Sequence, residues 1–204
     1  MSLLLSLCRR LRTVLRTDSL FLAGYAVTAS LRSKLSKHSL QGCINTLVLA
    51  FASVMAGTGE LNLLRRLRVM HGQVGETVSY GTHMATHLAL GLLFLGKGRF
   101  TLGNSKIATA VLLCAFYPTF PTTPICNRFH LQAFRHLWVL AVEPRCLVAK
   151  DIDNGKAIYI PLKFRVKEVN DKGEAEIRSK KLTTPTLIPP LNTIESIRTD
   201  SPRY

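Results

Sequence analysis

Apolar positions along the first 144 residues come in short dense runs with helical spacing. Beyond Pro144 they recur at every second position. The first pattern predicts helices near residues 44–56, 60–70, 83–95, 106–116 and 128–141, and the second predicts strands after Arg145. The stretch from Leu47 to Ala56 is rich in small residues and stops at Gly57-Thr58-Gly59, where glycine accepts the left-handed conformation that closes a helix. The segment from Glu60 to Met70 opens on an acid and gathers Arg65, Arg66 and Arg68 toward its end, as the helix dipole favours. A second stretch, His83 to Leu95, stops at Gly96-Lys97-Gly98 and is followed by a helical pattern from Ile107 to Phe116.

These two stretches are copies of one pattern, offset by 39 residues. Leu49-Ala50 answers Leu88-Ala89, Ala52 answers Gly91, and Gly57-x-Gly59 answers Gly96-x-Gly98. One unit therefore reads helix, glycine turn, helix. Small residues at Ala50, Ala52, Ala56, Ala89 and Gly91 suit close helix packing, and Gly57 and Gly96 are expected at equivalent helix ends with positive φ. Self-similarity at this period marks a stacked repeat, a binding scaffold more often than a catalyst. The competing reading is an ordinary helical hairpin that occurs twice.

The carboxy-terminal pattern is different. Ile158, Ile160, Leu162, Phe164 and Val166 alternate with Tyr159, Pro161, Lys163, Arg165 and Lys167, which predicts a strand with one buried face. Asp153-Asn154-Gly155 and Asn170-Asp171-Lys172-Gly173 are turn signals on either side. Pro161 suggests an edge or a bulge. A returning strand follows, with Ala175, Ile177 and Ser179 alternating with Glu174, Glu176 and Arg178. Residues 184–191 hold three prolines and read as extended.

The residues that carry a family resemblance lie between Cys43 and Arg145. They include Val54-Met55-Ala56-Gly57-Thr58-Gly59, the run from Tyr80 to Gly96, the run from Leu112 to Pro118, the run from Asn127 to Leu137, and Val139 to Arg145. This stretch resembles the proteasome/cyclosome repeat family, and within it the closing repeats of the large scaffold subunits of the anaphase-promoting complex (cyclosome). The resemblance implies a mainly α fold, a toroid of α-solenoid type built from helical hairpins, and the alternating pattern after Pro144 adds a small, incomplete antiparallel β-domain. Together with the change of pattern at Pro144 the resemblance divides the chain into a basic amphipathic segment at 1–40, which departs most from the family, repeats at 41–144 and a β-rich segment with a proline-rich tail at 145–204. It also implies a fragment of a longer, non-catalytic ubiquitin-ligase subunit acting in mitosis. Its partners would be the other subunits and the coactivator, with no cofactor, in nucleus and cytoplasm. Outer repeat faces without their neighbours predict poor solubility.

Composition fits an interface-rich piece. Charged residues are 19% of the chain, below the roughly 25% usual for soluble domains. The net charge of +15 divides into +6 for residues 1–40, +6 for 41–140 and +3 for 141–204. No aromatic–basic interleaving offers a stacking platform, so acidic protein partners fit better than nucleic acid. Five cysteines, an odd number with no Cys-x-x-Cys pair, argue against a disulfide framework or a zinc ribbon. The apolar runs at 44–56 and 88–95 fall short of the ~20 residues of a membrane span.

No complete set of reacting groups is visible. His83 and His87 stand four apart, but Met84 occupies the place where a metalloprotease carries its glutamate. Further ligands would have to come from Cys114, Cys126, His130 or His136, without supporting spacing. Buried or capping roles are therefore expected for the two histidines. Gly96-Lys97-Gly98 lacks the rest of a phosphate loop, and Glu60 and Glu76 are the only acids between residues 41 and 140. The alternative function lies in residues 1–40. Arg9, Arg10, Arg12 and Arg16 follow an apolar start against the single acid Asp18, as in a mitochondrial transit peptide or a membrane-surface helix. An amphipathic helix of a preceding repeat reads the same residues.

Overall fold

The computed structural model describes residues 36–73, 78–117, 119–126, 132–169 and 175–201. The basic segment before Ser36, His130 and the expected turn at Asn170–Gly173 lie outside them. Among the described residues, α-helices span Lys37–Val54 (α1), Leu61–His71 (α2), Tyr80–Leu93 (α3) and Lys106–Phe116 (α4). Three of them begin on a serine that satisfies an orphan backbone donor. Ser36 Oγ accepts from the Ser39 amide at 3.2 Å, Ser79 Oγ from Thr82 at 3.3 Å, and Ser105 Oγ from Ala108 at 3.1 Å. These caps start α1 and α3 several residues earlier than the apolar runs alone suggest. Glu60 caps α2 with both carboxylate oxygens, accepting from the Asn62 and Leu63 amides at 3.0 and 2.6 Å.

Helices α1 and α3 lie side by side and run in the same direction. Near both starts Gln41 Nε2 donates to Thr82 Oγ1 at 2.6 Å, and near both ends the Gly57 amide donates to Leu92 O at 3.0 Å. Helix α2 returns against α3 and brings His71 beside His83 and His87. The core between them holds Leu49, Ala52, Ala56, Leu63, Leu67, Ala85, Ala89, Leu92 and Leu93, all at most 3% exposed. Each buried leucine contributes about 1.5–3 kcal/mol, and the alanines let the helices approach.

Three expectations change in this region. The predicted helix at 128–141 is, over its described part, a run of 3-10 turns at Ala133–Ala141. That geometry rises about 2.0 Å per residue against 1.5 Å for an α-helix, which carries the segment alongside α4 to a strand. Strands also begin before Arg145. Phe100–Leu102 (β1) pairs antiparallel with Val142–Pro144 (β2), so the second glycine turn leads into a strand rather than directly into a helix. The small-residue packing expected at Gly91 is absent, because Gly91 is exposed and a Cβ there would meet nothing within 4 Å.

The carboxy-terminal part is all antiparallel. Cys146–Leu147 (β3) pairs with Thr186–Leu187 (β8), and Ala149–Lys150 (β4) pairs with Ala157–Ile158 (β5) around a turn in which Gly155 has φ 65°. Pro161–Val169 (β6) is the centre of a three-stranded sheet between Ala175–Thr183 (β7) and Ile194–Thr199 (β9). Leu162, Phe164 and Val166 are buried, in step with the alternation. Pro161 sits on no edge strand but at the first position of the central one, where a missing amide is tolerated. The bulge falls opposite, between Arg165 and Val166 on the β9 side. Ile177 pairs with Lys167 and lies on the outer face at 46% exposed, because the register gives the core face of β7 to Arg178, Lys180 and Leu182.

Candidate functional site

The place where sequence signals and geometry converge is the pair of glycine turns. Gly57 and Gly59 have φ of 76° and 61°, and Gly96 and Gly98 have φ of 55° and 78°. Lys97, between the second pair, is also left-handed at φ 58°. These conformations cost a side-chain-bearing residue steric energy that glycine avoids.

The first turn closes the helix of the second copy. The last carbonyls of α3 have no partner within the helix. The Gly57 amide donates to Leu92 O and the Gly59 amide to Leu93 O, each at 3.0 Å. The two turns also abut, since a Cβ on Gly98 would stand 3.3 Å from the Gly57 carbonyl oxygen. At Gly57 there is no room at all. A Cβ there would overlap the Phe100 carbonyl oxygen and stand 3.2 Å from Leu187 Cδ1, so this glycine touches α3, β1 and β8 together.

The remaining signature residues divide between core and surface. Leu49, Ala52 and Ala89 are buried, Ala50 and Leu88 half-buried, and Gly91 and Gly96 exposed. Gly96 faces the Phe100 ring. Beside the turns lies a cleft of about 650 Å³ with Lys97, Arg99, Cys146, Val148 and Leu187 in its lining. Its lining residues include no carboxylate and no imidazole.

Two arginines escaped the sequence reading. Arg145 is 6% exposed, donates from Nη2 to Leu102 O at 3.2 Å and pairs with Glu143 at 3.5 Å, which fastens β1 to the start of the β-region. Arg135 lies 4.1 Å from the centre of the Phe120 ring and donates to Thr119 O at 3.0 Å; burial lowers its pKa. Both lie in the runs that carry the family resemblance, Asn127–Leu137 and Val139–Arg145, where spacing gave neither a role of its own. His83 is half-buried and His87 exposed, so neither is a buried core residue. The neighbour that meets them is His71, its ring centre 4.8 Å from that of His87 and 6.4 Å from that of His83. Among the described residues no group of three or more His, Cys, Asp or Glu is arranged to hold a metal, and no helix is long and apolar enough to cross a membrane.

Comparison with known proteins adds three findings. The family described as "APC1 fifth domain" matches residues 2–143, and "APC1 beta sandwich domain" matches residues 145–204. The "Negative regulator of mitosis" of Emericella nidulans is 48% identical over 172 residues, 84% of this chain and 8% of the relative. "Anaphase-promoting complex subunit 1" is 46% identical over 169 residues in Homo sapiens, and 43% identical over 171 residues in Dictyostelium discoideum. Those matches cover 82% and 84% of this chain and 8% and 7% of the relatives. The chain thus spans under a tenth of their length. The likeness reaches further than residues 43–145, since the matched domains take in residue 2 onward and the β-region.

Proposed function

The chain belongs to the anaphase-promoting complex subunit 1 family, and we propose that it is a scaffold segment of such a subunit, with a structural rather than a catalytic task. The observation that carries this reading is the pair of hydrogen bonds that the first copy donates to the second. The glycine turn of the first copy caps the helix of the second, and α1 and α3 pack in parallel. A stacked repeat array needs this coupling, because each unit is completed by the next.

In this reading residues 41–144 are helical repeats of an α-solenoid ring and residues 145–204 are part of a β-sandwich packed on its end. Exposed Ile107, Leu140, Phe134 and Tyr117, each at least 62% exposed, are surface for the neighbouring parts of the assembly. Neighbouring subunits and the coactivator are the partners, in nucleus and cytoplasm, and the ligase chemistry belongs to other subunits. The match of residues 2–143 to one family domain favours this over a targeting role for residues 1–40.

The test is a Leu90→Asp, Leu93→Asp variant of the full-length subunit. Leu93 is 0% exposed, and a carboxylate there is buried without a partner. The expected outcome is reduced subunit stoichiometry or weaker coactivator-dependent ubiquitination, with the catalytic subunits still active on their own. Normal assembly together with normal ubiquitination would refute the scaffold role.

A further inference from the structure

We propose that the outer face of the three-stranded sheet is a docking surface for an extended acidic segment of a partner protein. The face follows from the register. On β6, Leu162, Phe164 and Val166 point to the core, so Lys163, Arg165 and Lys167 point away from it. Lys163 stands directly opposite Lys181 of β7 on one side and Arg198 of β9 on the other. Three cations therefore lie abreast on neighbouring strands about 4.7–4.9 Å apart. Like charges directly opposed in a sheet are destabilising, so the row opposes the fold that carries it.

Its counter-charges among the described residues are few. Asp200 pairs with Lys181 at 2.6 Å, and Glu195, the bulged residue, pairs with Arg165 at 3.3 Å. Lys163, Lys167, Lys181 and Arg198 are all exposed. Among the described residues the face thus presents five cations against two carboxylates.

Charge and spacing identify the occupant. A second copy of the chain, with a net charge of +15, would repel this face. A single-stranded nucleic acid gains much of its affinity from aromatic stacking partners, and no aromatic side chain stands among the outward positions of β6 and β7. The central cations repeat at every second residue, about 6.6–6.8 Å along the strand. An extended polypeptide with Asp or Glu at every second position repeats at the same interval and can answer each of them. Nothing in this surface depends on the ring proposed above.

The experiment measures binding of a fluorescein-labelled ten-residue peptide of alternating Glu and Ser to the full chain, by fluorescence anisotropy at fixed salt. Lys163→Gln, Arg198→Gln is compared with Arg65→Gln, Arg68→Gln on α2, which removes the same charge elsewhere. The sheet variant should bind about five- to thirtyfold more weakly, and the helix variant within about twofold of the parent. The alternating peptide should also bind tighter than one with five Glu followed by five Ser. The sheet variant should melt at the same temperature as the parent or higher, because a repulsion has been removed. Equal losses from both variants, a preference for the block peptide, or a lower melting temperature of the sheet variant would overturn the proposal. So would tighter binding of a single-stranded oligonucleotide of equal charge through the same two residues.

Discussion

Replacing Gly57 by alanine should be among the most damaging single-methyl additions in this chain. Two costs combine. With φ at 76°, an alanine carries left-handed strain of about 1–2 kcal/mol. The added Cβ also overlaps the Phe100 carbonyl oxygen and lies 3.1 Å from its carbon, so backbone must move against backbone. Relief by more than an ångström shifts the turn away from Leu92 O and Leu93 O or lifts β1 from β2. Each such hydrogen bond is worth about 1 kcal/mol net, and two or three are at risk. The sum is about 3–5 kcal/mol. Two other alanine substitutions set the scale. At Gly96 the obstacle is the Phe100 ring, 37% exposed and free to turn, so the cost is mainly the φ strain of about 1–2 kcal/mol. At Gly91, inside α3 with nothing within 4 Å, alanine should stabilise by about 0.5–1 kcal/mol. Urea unfolding followed by the fluorescence of the single tryptophan, Trp138, which packs on the helical core, reads all three. A Gly57→Ala midpoint equal to that of the parent, or a cost no larger than at Gly96, would refute the account of the turn.

Other perturbations follow from the same contacts. Glu60→Ala removes both acceptors that cap α2 and should cost about 0.5–2 kcal/mol, read as a lower helix content and urea midpoint; an unchanged midpoint would discount the cap. Phe164→Ala empties the centre of the β-core, where Phe164 is 0% exposed, and should cost about 3–5 kcal/mol. Hydrogen exchange should then show loss of protection in β6, β7 and β9 before α1 and α3. The Lys181 hydrogen bond first, then the charges of Lys181 and Lys163, hold the exposed Asp200 carboxyl below its ordinary 3.8. Its small contribution is present above the unfolded value and is lost as pH falls through the lower folded one. A carboxyl-carbon NMR titration of Asp200 should show the depressed midpoint, and Lys181→Met should bring it back toward 3.8.

Local rules settled much of this fold before any coordinates. Helix needs only a run of apolar residues at its own period, a cap and a stop, and those sit within a dozen residues of one another. The caps at Ser36, Ser79 and Ser105 are local in the same way, although at α1 and α3 the apolar runs begin several residues after the cap. The buried face of β6 follows in the same way from a two-residue period. What depended on distant residues was decided only by the tertiary structure. Phe100–Leu102 is a strand because Val142–Pro144, some forty residues on, supplies its partner; alone it is too short to show a period. The sidedness of β7 was fixed by its register with β6, which turned Ile177 outward and set Lys181 against Lys163. Spacing paired His83 with His87, but only the return of α2 brought His71 to them. At the glycine turns the sequence determined the conformation, since glycine alone enters positive φ without strain. It could not reveal that Gly57 caps the helix of the other copy, because that bond joins residues 35 apart.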